Sequence, residues 1–145
     1  KWKMVLVGEG AERRALAEQA RTLGIENHVI FTGFQNTPFN YLATFDAFIL
    51  ASKSEGPPRV VLEAMLLNIP VIGSQVTGTA ELIDHDSTGL LFPWSDVSQL
   101  AQHLDNIWAD ADLRARLAAA AYQNVCHTYA IENYVSGVEA VLGAH

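Results

Sequence analysis

Two glutamates, Glu55 and Glu63, stand with seven residues between them in the stretch SKSEGPPRVVLEAM, residues 52–65. Glu63 is set among Val60, Val61, Leu62, Ala64, Met65, Leu66 and Leu67, so a helix here would be apolar on every side and is expected to be buried. A carboxylate inside such a helix needs a partner. Arg59, four residues earlier on the same helix face, offers an internal ion pair. Vicinal hydroxyls, such as those of a ribose, would satisfy both carboxylate oxygens from outside. A glycosidase acid-base pair is the weaker alternative, because it requires both carboxyls to flank a cleft of their own.

The two prolines between the glutamates say where the helix starts. A residue before proline is pushed out of the α region, so Pro57 is expected to be extended and Pro58 to take the first helical position of a helix over residues 58–67. The N–H groups of Arg59, Val60 and Val61 would then lie in the first turn without intrahelical partners, where the helix dipole adds about half a positive charge. A phosphate-sized anion fits such an end. Gly56 lets a ligand approach the backbone, and Ser52 and Ser54 add hydroxyls nearby. Glu63 lies about one and a half turns inside, at the reach of a ribose, and Glu55 stands on the loop at the mouth, at the reach of hexose hydroxyls. A ligand with hydroxyls at both ends and phosphates between them is a nucleotide sugar.

The elements that would position these residues alternate along the chain. Met4-Val5-Leu6-Val7 reads as a strand closed by Gly8-Glu9-Gly10, Ala11 to Leu23 as a helix stopped by Gly24, and His28 to Thr32 as a second strand closed by Gly33. Tyr41 to Phe45 suggests a short helix, Asp46 to Leu50 a strand and Pro70 to Gly73 another. A short helix at Ala80 to Ile83 and a strand near Gly89 to Phe92 follow, then helices over 97–108, 110–129 and 131–142. Strands that are apolar throughout and separated by helices imply one parallel sheet covered on both faces, a Rossmann-like α/β fold without an internal boundary. Ligands of such sheets collect outside the carboxyl ends of the strands, at Gly8 to Gly10, Gly33 to Thr37, Ser52 to Pro58 and Ser74 to Thr79.

Composition narrows the partners. The 145 residues are 50% hydrophobic and 17% charged, as in one soluble domain, with no membrane-length apolar run and no signal peptide. A net charge of −7, with nine scattered Lys and Arg, argues against nucleic acid. An anionic ligand must therefore be held by local donors. Cys126 is the single cysteine, which excludes a disulfide framework and makes a reducing cytoplasm the default; beside Tyr122 and Tyr129 it reads as a small packed thiol. His28, His85, His103, His127 and His145 have no metal-ligand spacing and are expected at the surface or at element ends. The start at Lys1-Trp2-Lys3, without an initiator Met, reads as an excerpt from a longer chain.

SKSEGPPRVVLEAM, followed by IPVIGSQVTGTAELIDHDSTGLLF and preceded by VGEGAERRALAEQA and VIFTGF, resembles the C-terminal domain of the retaining GT-B glycosyltransferases of family 4. The E-x7-E pattern alone is weak, but this ordered set is specific and covers nearly the whole chain. The resemblance implies residues 1–145 as a nucleotide-sugar donor domain, a Rossmann-like doubly wound parallel sheet with C-terminal helices, truncated at its N-terminal end. An N-terminal acceptor domain of the same protein would face it across a cleft and supply any peripheral contact with the inner membrane face.

By position, the resemblance makes Glu55 the catalytic-site glutamate facing the donor sugar and its phosphate, and Glu63 the one holding the ribose. Gly56, Pro57, Pro58, Arg59, Val60 and Val61 form the sugar and diphosphate cradle. Gly33, Phe34 and Gln35 become the base-binding edge, with packing as the other reading of Phe34. Gly8, Gly10, Ser54, Thr77 and Gly78 line the cleft, a plain tight turn being the other reading of the first two, and Glu81 is structural. It implies no metal and no cofactor, the substrate being a nucleoside-diphosphate sugar from which a hexose is transferred with retention. Pro57 departs from a position usually bulky, and Leu67-Asn68 replaces a small residue and glycine, although Asn serves as a left-handed cap. The family's basic pair for the leaving diphosphate lies upstream of Lys1, and Lys1 and Lys3 do not fit that role. A non-catalytic nucleotide-sugar-binding module and a sugar-nucleotide epimerase are the alternatives.

Overall fold

A computed structural model describes residues 2–129. Lys1, the helix expected over 131–142, and His145 lie outside the described residues. Strand β1 (Met4–Val7) leads to α1 (Arg13–Thr22), and β2 (Val29–Gly33) follows a short turn of 3-10 helix. The chain continues through α2 (Pro38–Leu42), β3 (Phe48–Leu50), α3 (Arg59–Leu66), β4 (Val71–Ser74), α4 (Thr77–Ala80) and β5 (Leu90–Phe92). It closes with α5 (Val97–Ala109) and α6 (Ala111–Thr128). Every element expected within the described residues is present. The short helices α2 and α4 start three residues earlier than expected, α2 because Pro38 suits a first helical position.

All strand pairs are parallel, as the apolar strands and intervening helices require. Pairing nevertheless divides into β1-β2 and β3-β4-β5, and the chain forms two compact units, residues 1–44 and 45–145. The single run of pairings expected from the sequence is thus split, because each strand bonds within its own unit. In the first unit α1 ends at Gly24, whose φ of +67° supports a Schellman cap: Gly24 N–H donates to Arg21 O and Ile25 N–H to Ala20 O.

The second unit holds the larger core. Strand β4 is buried at all four positions, and Ile72 packs with Leu90, Phe92, Ile107 and Leu117 under Leu100, Leu104 and Leu113. Helix α6 lays Leu117, Ala118, Ala121 and Val125 inward and packs on α3, the alanines allowing a close approach. Asp96 and Asp110 cap α5 and α6 by accepting from Gln99 N and Leu113 N. Asn68 takes φ +58° after α3, with Asn68 N–H donating to Met65 O and Ile69 N–H to Ala64 O, so the left-handed cap expected of Asn is present.

Two side chains depart from expectation. Cys126 is exposed and not packed, and its hydrogen bond with Tyr122 holds that phenol above its ordinary value. His103 is buried, not superficial, because its Nε2 donates to Leu91 O at 3.1 Å and so satisfies a polar ring inside the core. Among the described residues no helix is long and apolar enough to cross a membrane.

Candidate functional site

Parallel pairing puts the carboxyl ends of β3, β4 and β5 at one edge, from which the segments carrying Glu55, Thr77 and Trp94 emerge. The segment between β3 and α3 is held by its carbonyls. Ser74 Oγ, at the fully buried end of β4, donates to Ser52 O at 2.6 Å. Gly78 N–H donates to Glu55 O at 3.3 Å, and Lys53 Nζ rests 5.3 Å from the centroid of the Trp94 ring. Gly78 is buried, and a Cβ on it would lie 2.3 Å from the Gly56 carbonyl carbon and oxygen and 2.7 Å from Glu55 O. The glycine of TGT is therefore a close-approach residue that lets α4 press on the Glu55-Gly56 peptide. Gly56 itself has open space around its missing side chain.

Helix α3 begins one residue later than expected, with buried Pro58 as N-cap at φ −79° and ψ 112°. Proline's fixed φ fits either position. Val61 N–H donates to Pro58 O at 3.0 Å, so it is not free for a ligand as the sequence suggested. The N–H groups of Arg59 and Val60 meet no backbone acceptor among the described residues. Two donors, not three, remain at this helix end.

Glu63 is half-buried, not fully enclosed, because α3 keeps one stripe toward solvent: Arg59 and Leu66 are exposed and Leu62 is half-buried. The ion pairs among the described residues are Glu9 with Arg13, Glu18 with Arg21 and Asp86 with His85, so the Arg59 to Glu63 pair does not form. Neither Glu55, also half-buried, nor Glu63 has a protein donor on its carboxylate among the described residues. Arg59 is likewise unpaired there. The structure thus removes the internal partner that the sequence offered for Glu63.

Gly8, Gly10, Gly33, Phe34 and Gln35 lie in the first unit. Gly8 N–H donates to Gly33 O at 3.1 Å, and these residues carry φ of +125° and +71°. Both demand glycine. A Cβ on Gly33 would meet the Arg13 and Glu9 ion pair at 3.3 and 3.4 Å. Phe34 is 75% exposed, which leaves its ring free of packing, and Gln35 Nε2 donates to Thr32 O at 2.9 Å. Lys3 Nζ is engaged by Asn27 O. Gly10, Ser54, Pro57 and Thr77 are exposed, and so is Glu81. Thr79 Oγ1 is a fully buried hydroxyl without a partner among the described residues.

Sequence reasoning named Ser74 only as the start of a ligand loop and missed its bond to Ser52 O. It also named Gly78 as a cleft residue without its close contact with the Glu55 loop.

An α/β fold of parallel strands and intervening helices is that of the GT-B glycosyltransferases it resembles in structure. The chain belongs to the glycosyl transferases group 1 family, whose model matches residues 1–124. It is 32% identical over 139 residues to N-acetyl-alpha-D-glucosaminyl L-malate synthase of Bacillus anthracis, covering 96% of this chain and 36% of that protein. It is 31% identical to a Campylobacter jejuni N-acetylgalactosaminyltransferase acting on N-acetylgalactosamine-N,N'-diacetylbacillosaminyl-diphospho-undecaprenol, covering 88% and 34%. Anabaena Alr3699/HepE, solved in complex with UDP, superposes with a TM-score of 0.89 at 26% identity over 99% of this chain and 41% of that one. The C-terminal domain of LpcC, a glycosyl transferase group 1 family protein of Francisella tularensis, superposes at 0.80 with 28% identity, over 88% and 70%. The chain thus spans about a third of the curated relatives' length and matches a C-terminal GT-B domain.

Proposed function

We propose that this chain binds the donor of a retaining glycosyl transfer, a nucleoside-diphosphate hexose, and that the longer parent protein passes the sugar to a glycan or lipid-linked saccharide. One observation carries the reading: the Glu63 carboxylate is half-buried beside a helix end with two unmet N–H groups, and Arg59, its intramolecular candidate, does not pair with it. Solved relatives hold UDP and UDP-glucose, and the Campylobacter relative's acceptor is lipid-linked, which supports both ends of the proposal.

In this reading Glu63 accepts from the ribose hydroxyls, the amides of Arg59 and Val60 face the diphosphate, and Glu55 faces the hexose. Charge develops on the departing diphosphate as the anomeric bond breaks, so fixed donors there contribute most. Arg59, exposed and without an ion pair, is available as a cation. Holding an acceptor against the anomeric carbon requires surfaces outside α3 and its loop, so we assign turnover to the parent protein and nucleotide binding to this chain.

Calorimetric titration of the 145-residue chain with UDP and other nucleoside diphosphates tests this. Glu63→Gln should weaken binding by about 1.5–3 kcal/mol while leaving folding stability in place, because it removes a charged acceptor from the ligand and not from the protein. Equal affinities for wild type and variant would refute it.

A further inference from the structure

The segment Ser52 to Glu55 is short, yet three residues from outside it touch it. Its first carbonyl accepts from Ser74 Oγ at 2.6 Å, its last from Gly78 N–H at 3.3 Å, and the side chain between them, Lys53, lies on the Trp94 ring. Of these anchors only Ser74 is a fully buried side chain placed at the end of a sheet strand, where β4 is fixed by β3 on one side and β5 on the other. A hydroxyl there transmits the position of the sheet to the loop through one hydrogen bond. Glu55 itself has no protein partner on its carboxylate among the described residues, so its direction rests on how its backbone is held.

We propose that Ser74 is a positioning residue for Glu55: its hydroxyl, through the Ser52 carbonyl, orders the loop so that the Glu55 carboxylate meets the donor sugar. Gly78 completes the clamp from the other end, its missing Cβ allowing the contact. The inference rests on the sugar-facing role proposed for Glu55. A loop held at both carbonyls binds the sugar without an ordering cost, which is the general advantage of preorganisation.

The test is Ser74→Ala in the 145-residue chain, alone and combined with Glu55→Ala, titrated with UDP and UDP-glucose. Ser74→Ala should weaken UDP-glucose by about five- to tenfold, as expected for one hydrogen bond, and leave UDP unchanged. In the Glu55→Ala background it should cause no further loss, since residues acting as one unit are not additive. Equal losses for both ligands, or the same loss with Glu55 already removed, would overturn the proposal. A second measurement needs no ligand: backbone order parameters of Ser54 to Gly56 should fall from the rigid value of about 0.85 toward about 0.6 in Ser74→Ala, and unchanged values would overturn it as well. Should wild type bind neither ligand, the donor-binding function falls, and the order parameters alone decide whether Ser74 holds the loop.

Discussion

The amide nitrogen of Gly78 lies 3.3 Å from the carbonyl oxygen of Glu55, and no side chain separates the two backbones. A methyl group placed on Gly78 would sit 2.3 Å from the Gly56 carbonyl, and backbone on that side cannot rotate away as a side chain could. Gly78→Ala should therefore destabilise the protein by about 1–3 kcal/mol, the usual cost of overpacking. Urea denaturation checks it, and an unchanged midpoint would mean that α4 and the Glu55 loop are less closely packed than described.

The absent Arg59 to Glu63 ion pair predicts a separation of stability from binding. Arg59→Ala and Glu63→Gln should each change folding stability by less than about 0.5 kcal/mol, as for exposed or half-exposed groups without partners. A loss of more than about 1 kcal/mol that is shared between the two in a double-mutant cycle would restore the ion pair.

Much of this architecture is legible in the chain because its signals are local. Gly24 and Asn68 end helices through a left-handed φ that few residues tolerate, and Asp110 caps α6 by chemistry confined to one turn. Pro58 shows the limit of such signals, since its φ suits both the N-cap and the next position. The exposure of Glu63 is decided by which faces of α3 meet α6 and the strands, a tertiary choice that its apolar neighbours concealed. The contacts of Gly78 and Ser74 were illegible for the same reason: their partners, Glu55 and Ser52, lie on a different crossover, and only packing brings them together.

His85 and His103 bracket the Leu91 peptide and so have defined tautomers. Leu91 N–H donates to His85 Nδ1 at 2.9 Å, which requires that nitrogen to be bare and places the proton on Nε2, 3.6 Å from Asp86 Oδ2. His103 Nε2 must carry its proton to donate to Leu91 O. Ring nitrogen NMR of the neutral rings should show both residues as Nε2–H tautomers. His103→Leu should cost about 1–3 kcal/mol by removing the donor from the buried carbonyl. A protonated Nδ1 on His85 would contradict the bracket.

The most direct measurement is a crystal structure of this chain, or of its parent, with UDP-glucose bound. The account predicts ribose hydroxyls within hydrogen-bond distance, about 2.6–3.2 Å, of Glu63, the diphosphate against the amides of Arg59 and Val60, and the hexose facing Glu55. A nucleotide seated elsewhere, or a Glu63 carboxylate bonded only to protein in the complex, would contradict it.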